Sequence, residues 1–236
     1  ASAQDFNATP PNAPDQRPAF EGQARAPVLT DEIALKTDVI TDGLDHPWGM
    51  EQLPDGGWLV TESPGKMRVI APDGTLSDPI SGLPEIDVTG QGGLLDVLLA
   101  EDFEQSRRLW FSYAAPAEGG NHTAVATATL SADNSALEGV EQIFAQVPVY
   151  DGKLHFGSRL VHDGEGNLFV TLGERSDVPI RDTAQQDDNH LGKLLRIDAM
   201  TGAPAEGNPG LGLPEVWAKG FRNVQAAARD AQGRLW

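Results

Sequence analysis

The chain has 236 residues with 39% hydrophobic content, enough to bury a sizeable core as one large β domain or two ordinary ones. Asp and Glu outnumber Lys and Arg 35 to 17, and a net charge of −18 argues against nucleic acid or an anionic membrane as partner. The absence of cysteine excludes disulfides, thiolate metal sites and cysteine nucleophiles, and no apolar run approaches the roughly 18–20 residues of a membrane span.

The chain opens Ala1-Ser2-Ala3-Gln4. Small residues in this pattern precede a signal-peptidase cut and suggest export; an arbitrary starting point gives the same beginning. Residues 1–30 are rich in Ala, Pro, Gln and Asn, with Pro10, Pro11, Pro14, Pro18 and Pro27 and no periodicity, so they read as a flexible arm. Residues 31–236 read as one β domain. Short apolar runs stand at 58–60, 68–70, 94–99, 109–113, 123–130, 143–149, 168–172 and 194–197, divided by turns such as Pro54-Asp55-Gly56, Pro72-Asp73-Gly74 and Asp163-Gly164. Almost nothing recurs at helical spacing, which predicts an antiparallel all-β chain.

A weak repeat narrows the architecture. Residues 53–62, 162–171 and 229–236 each read as an Asp-centred turn followed by a strand, at irregular spacing. Repeated four-stranded units with such turns suggest a β-propeller; a plain β-sandwich is the simpler alternative. A blade takes roughly 40–50 residues, so about four are expected after the arm. A propeller must close to protect its sheet edges, and the last repeat runs into Trp236, so the domain is expected to continue beyond it.

The clearest hint of chemistry lies at 154–175. His155 precedes the strand pattern Arg159-Leu160-Val161, the turn 162–167, the strand pattern 168–172 and then Gly173-Glu174-Arg175. A hairpin of that length brings its two ends together, setting an imidazole beside a carboxylate. A carboxylate can hold one ring nitrogen protonated and leave the other free as a base. Elsewhere, Gly90-Gln91-Gly92-Gly93 lacks the βαβ context of a dinucleotide fingerprint and reads equally as a tight turn. Gln186-Asp187-Asp188-Asn189 lacks EF-hand spacing, and the glycosylation triplets at Asn7 and Asn121 are too short to carry weight. His46, His122, His162 and His190 have no matching constellation and read as structural or surface residues.

Five segments in order resemble the glucose/sorbosone dehydrogenase family, the soluble pyrroloquinoline-quinone (PQQ) dependent aldose sugar dehydrogenases. They are 43–50 with 53–56; 60–69; 90–97; 155–160 with Gly173-Glu174; and 191–197 with Gly220-Phe221-Arg222-Asn223. The resemblance implies a six-bladed propeller with the quinone at the channel mouth, of which residues 31–236 hold roughly the first four blades. It implies His155 as general base toward the sugar's anomeric hydroxyl and Glu174 as its orienting acid, where many relatives have Asp. It implies Gln91 as an active-site amide near substrate and quinone, and Arg222 and Asn223 as quinone contacts. It further implies calcium, with quinone-side ligands downstream of Trp236, so no metal ligand is named within this chain. The expected partners are an aldose and an external electron acceptor, and the expected location is periplasmic or secreted.

Two departures stand beside these positions. Relatives commonly have Gly-Gly-Arg-Leu or Ser-Gly-Arg-Leu where this chain has Gly157-Ser158-Arg159-Leu160, and Pro-Gln-Gly where it has Val224-Gln225-Ala226. They bear on loop shape and substrate fit. Two rival functions share the fold: a non-catalytic propeller binding carbohydrate or protein, and a calcium-dependent propeller lactonase using acids such as Glu62 and Asp96.

Overall fold

A computed structural model describes residues 33–236 together with Pro14, Asp15, Arg17, Phe20 and Glu21. The expected arm at 1–30 lies almost wholly outside the described residues. The chain divides into Ala1–Val39 and Ile40–Trp236, and the second unit carries all the strands described below.

That unit contains three antiparallel sheets among the described residues. The first holds β1 (Pro47–Gln52), β2 (Trp58–Glu62) and β3 (Lys66–Ile70). The second holds β4 (Leu94–Leu99), β5 (Arg108–Ala117), β6 (Gly120–Leu130) and β7 (Leu137–Ala145). The third holds β8 (Gly157–His162), β9 (Asn167–Leu172), β10 (Lys193–Asp198) and β11 (Val216–Lys219). Each sheet is a meander whose spatial order follows the sequence. Their first strands are neighbours, β1 beside β4 and β4 beside β8, so later strands step outward from a shared axis. This radial arrangement is a β-propeller.

The repeat seen in the sequence marks the turn between the first and second strands of a sheet. Asp55 accepts a hydrogen bond from the Gly57 N–H, and Asp163 accepts from Glu165 and Asn167. Asp230 accepts from Gln232 and Arg234, and Ala228 and Trp236 then exchange backbone hydrogen bonds of 3.1 and 2.8 Å. In each copy a side chain replaces the backbone partner that a tight turn leaves unsatisfied. The second sheet lacks the motif, because its first turn holds a short helix, α1 (Phe103–Ser106). That substitution makes the repeat irregular.

Chain length suggested about four blades; three sheets and the hairpin at 228–236 are found among the described residues. Long connections absorb the difference, notably 71–93 and 173–192. The apolar run at 143–149 is out of phase with its strand, since β7 ends at Ala145 and Pro148 offers no amide hydrogen to continue the ladder.

Packing between sheets combines apolar contact with buried polar links. Leu59, Leu94, Phe111, Val125, Leu168, Leu172, Leu195 and Ile197 are fully buried in one cluster. Thr61 on β2 donates to the Leu95 carbonyl (2.5 Å), joining the first sheet to the second. Trp110 on β5 donates to the Ala199 carbonyl (2.6 Å), and Ser112 donates to the Ser158 carbonyl (2.7 Å), joining the second sheet to the third. Asp96 on β4 accepts from Arg159 (2.5 Å) and from the Leu160 N–H (2.7 Å) on β8. The spacing between inner strands is thereby fixed by directional bonds, which area burial alone does not provide.

Candidate active site

The hairpin β8–β9 pairs Leu160 with Val170 and Gly157 with Leu172, so its two outer ends finish side by side. His155 precedes one end and Glu174 follows the other. The approach is close: a Cβ on Gly173 would lie 2.0 Å from the His155 carbonyl oxygen, so that position requires glycine. Glu174 Oε1 sits 3.0 Å from His155 Nδ1. Only 14% of the imidazole and 7% of the carboxylate are exposed, so the pair is sheltered yet reachable. A carboxylate accepts, so Nδ1 carries the proton and Nε2 keeps a lone pair for a base.

The backbone places the ring deliberately. His155 has φ 50, a left-handed conformation that costs a non-glycine residue roughly 1–2 kcal/mol. Its N–H donates to Gln91 Oε1 (2.9 Å). Gln91 is held in turn by its own N–H on the Lys153 carbonyl (2.7 Å). That contact needs Gly90, where a Cβ would fall 2.4 Å from the same oxygen. The segment Gly90-Gln91-Gly92-Gly93 is therefore both a tight turn and a clamp on the base.

The other two expected residues arrive from beyond β11. The Glu174 N–H donates to the Arg222 carbonyl (2.9 Å), and Arg222 Nε lies 3.8 Å from Glu174 Oε1. Asn223 Oδ1 accepts from the Gly157 N–H (3.0 Å). Gln91, His155, Glu174, Arg222 and Asn223 are thus brought together from four connecting segments of the chain. Beside them is an open cleft of about 580 Å³, lined in part by Glu174, Gln185, Phe221 and Arg222. Gln91 and Asn223 use their amide oxygens on backbone, and their amide nitrogens have no partner among the described residues. Arg222 keeps its guanidinium 78% exposed. The site presents donors around one base, suiting a ligand rich in carbonyl and carboxylate oxygens.

Arg175 escaped the sequence reading. Its side chain is fully buried against the segment leading to His155. It sits in the triplet Gly173-Glu174-Arg175, but an arginine beside a glutamate in a loop reads as a surface pair, and only the fold reveals its direction. The two acids considered for a lactonase are committed internally. Glu62 binds Arg68 (2.9 Å) and accepts from the Asp45 N–H (2.5 Å), while Asp96 is held by Arg159 and Leu160. Burial pushes Asp96 up to about 6, against the pull of Arg159. Among the described residues no three His, Asp or Glu side chains gather to hold a metal. Asn121 is 3% exposed and bonded through its side chain, closed to glycosylation; Asn7 lies outside the described residues. His162 bonds the Leu99 carbonyl, and His190 accepts from the Val147 N–H, both structural contacts. No described helix is long and apolar enough to cross a membrane.

Known proteins are similar to this chain in sequence and fold. The sequence profile of the Glucose / Sorbosone dehydrogenase family matches residues 44–236. Aldose sugar dehydrogenase YliI of Escherichia coli (strain K12) is 41% identical over 209 residues, covering 86% of this chain and 55% of that protein. The crystal structure of the soluble aldose sugar dehydrogenase from Escherichia coli in the apo-form superposes with a TM-score of 0.78 at 41% identity, covering 84% of this chain and 58% of that one. The PQQ-bound form of aldose sugar dehydrogenase from Streptomyces coelicolor superposes with a TM-score of 0.70 at 25% identity, covering 84% and 57%. The chain spans about half the length of the curated relatives it matches. With the profile matched through every strand from β1 to β11 and a relative 41% identical over 86% of the chain, the chain belongs to the glucose/sorbosone dehydrogenase family.

Proposed function

We propose that this site oxidises an aldose at C1 to its lactone, with PQQ as hydride acceptor. The observation that carries the reading is the 3.0 Å pairing of His155 Nδ1 with Glu174, at the point where Gln91, Arg222 and Asn223 meet. The residues present fit the quinone: an exposed guanidinium and two amide nitrogens without partners among the described residues are donors suited to an oxygen-rich ligand. When bound, the quinone supplies the two-electron acceptor that no side chain can provide.

The chain's own residues do the rest. His155 Nε2 takes the proton of the anomeric hydroxyl. Glu174 holds Nδ1–H and stabilises the imidazolium that results. Gln91 fixes the backbone of the base and offers its amide nitrogen to the sugar or quinone. Arg222 sets a positive charge where negative charge grows during the reaction, and Asn223 holds the adjoining loop at Gly157. Calcium is part of the family expectation, but the described residues do not gather a ligand set for it, and no step is drawn through it. A closed six-bladed ring, an external electron acceptor and a periplasmic or secreted location complete the reading as proposals.

The test is His155→Ala in the full-length protein. Sugar oxidation should fall by about 10²–10⁴-fold, the usual loss on removing a general base, while PQQ still binds. Near-normal turnover would take His155 out of the mechanism. Lactone hydrolysis without PQQ would move the assignment to a lactonase, and neither reaction with retained sugar binding would leave a binding propeller.

A further inference from the structure

Arg175 is a fully buried arginine with no carboxylate in contact among the described residues. A buried guanidinium is costly unless its donors are met, and here they are met mostly by backbone. Its Nε donates to the Leu154 carbonyl (3.1 Å) and its Nη2 to the Gly152 carbonyl (2.6 Å) and to Asn121 Oδ1 (2.5 Å). Its Nη1 lies 3.5 Å from the Asn121 carbonyl. The guanidinium carbon stands 4.1 Å from the centre of the Phe156 ring. Gly152 and Leu154 precede His155, and Phe156 follows it, so one side chain grips the backbone before the base and stacks on the ring after it.

Asn121 completes the grip. Its amide nitrogen donates to Gly152 O (3.1 Å) and to Asp87 Oδ2 (2.7 Å), linking the clamp to an acid one residue beyond direct reach. Burial lowers the Arg175 guanidinium to about 10, so it stays cationic at neutral pH. The backbone explains the geometry: Arg175 and Ser176 both have φ 69, and the resulting curl sends Glu174 toward the imidazole and Arg175 beneath the loop.

We propose that Arg175 is the positioning residue of the base. Its guanidinium locks the segment 152–156 into the left-handed turn at His155 and so holds the ring on Glu174. The dipeptide Glu174-Arg175 then has two separate duties, the acid orienting the ring and the guanidinium fixing the backbone that carries it. Lysine cannot replace it, because a single ammonium lacks the planar fork that reaches three oxygens while stacking on a ring. This inference rests on His155 being the base.

The experiment compares Arg175→Lys and Phe156→Leu with wild type and His155→Ala in the PQQ-loaded full-length protein. For Arg175→Lys, kcat should drop about 10–10²-fold, the scale expected from displacing a catalytic group by about 1 Å. PQQ affinity and KM for the sugar should stay within about threefold. Crystal structures should show the His155–Glu174 separation growing past about 3.5 Å. Phe156→Leu, which keeps the apolar volume but removes the ring face, should move kcat in the same direction to a smaller degree. It carries the test by the same criteria if the lysine variant does not fold. Unchanged kcat, or a loss of kcat with His155 still on Glu174, overturns the role of Arg175. Wild type without sugar oxidation would instead sink the functional reading, and the crystal structures would still decide whether Arg175 holds the loop.

Discussion

Ser158 carries φ 92, a backbone conformation natural to glycine and strained for serine. The residue is fully buried, and its hydroxyl makes a single long hydrogen bond to the Phe156 carbonyl (3.3 Å). The strain, roughly 1–2 kcal/mol, exceeds the extra chain entropy of glycine, roughly 0.5–1 kcal/mol. Ser158→Gly is therefore expected to stabilise the protein by about 0.5–1 kcal/mol, read as a rise in the denaturant midpoint at unchanged slope. A lowered midpoint would mean that the hydroxyl contributes more than its geometry indicates. This residue also marks the boundary of what was legible. The pairing of His155 with Glu174 could be proposed from the hairpin pattern, whereas Gln91, Arg222 and Asn223 could be proposed only from the family resemblance. The φ values at His155 and Ser158 and the inward turn of Arg175 could not, because backbone handedness and side-chain direction at loop positions are set by tertiary contacts.

At the scale of elements, the three inner strands share one electrostatic knot. Glu51 on β1, Asp96 on β4 and Arg159 on β8 act on one another, and Arg159 also covers the Trp48 ring at 4.7 Å. Burial first, and the Asp96 charge second, push Glu51 up to about 7. The native state thus holds a proton on Glu51 that the unfolded chain releases at ordinary carboxylate pH. The stability from that proton is fully present below about 4.5 and is lost as pH rises through about 7. Glu51→Gln should flatten the fall in unfolding free energy across this window, leaving the part due to Asp96, whose shift has the same sign. An unchanged slope in urea titrations from pH 5 to 7.5 would place the proton elsewhere. Strands such as β2 and β9 were plain in the sequence from apolar runs that follow Asp-Gly turns, and β10 from its apolar run at 194–197. β1 and β11 were not, because Pro47–Gln52 mixes apolar with polar residues without alternation and Val216–Lys219 is only four residues long. Their identity as strands comes from pairing with β2 and β10.

In the molecule as a whole, the proposed function depends on bringing distant loops to one end of the inner strands. Gln91 precedes β4, His155 precedes β8, and Arg222 follows β11, yet Gln91 touches the backbone of His155 and Arg222 lies 3.8 Å from its acid. A meander that stayed flat would strand these loops along a sheet edge; the radial arrangement of first strands collects them. The sequence could suggest that arrangement only through repeat and resemblance, since no local pattern encodes which sheets share an axis. Arg222 tests fold and function together. Its guanidinium is exposed and close to the shared carboxylate, so it can meet an incoming oxygen-rich ligand while remaining tied to Glu174. Placed there, it should favour the more negative, reduced quinone over the oxidised one. Arg222→Ala is expected to slow single-turnover reduction of bound PQQ by about 10²–10³-fold, the range seen on removing a preorganised donor. The apparent affinity for sugar should change far less. The measurement is PQQ absorbance in stopped flow against sugar concentration: the plateau rate reports hydride transfer and the half-saturation point reports binding. A fall confined to the half-saturation point would make Arg222 a sugar-binding residue and would remove the electrostatic contribution assigned to it.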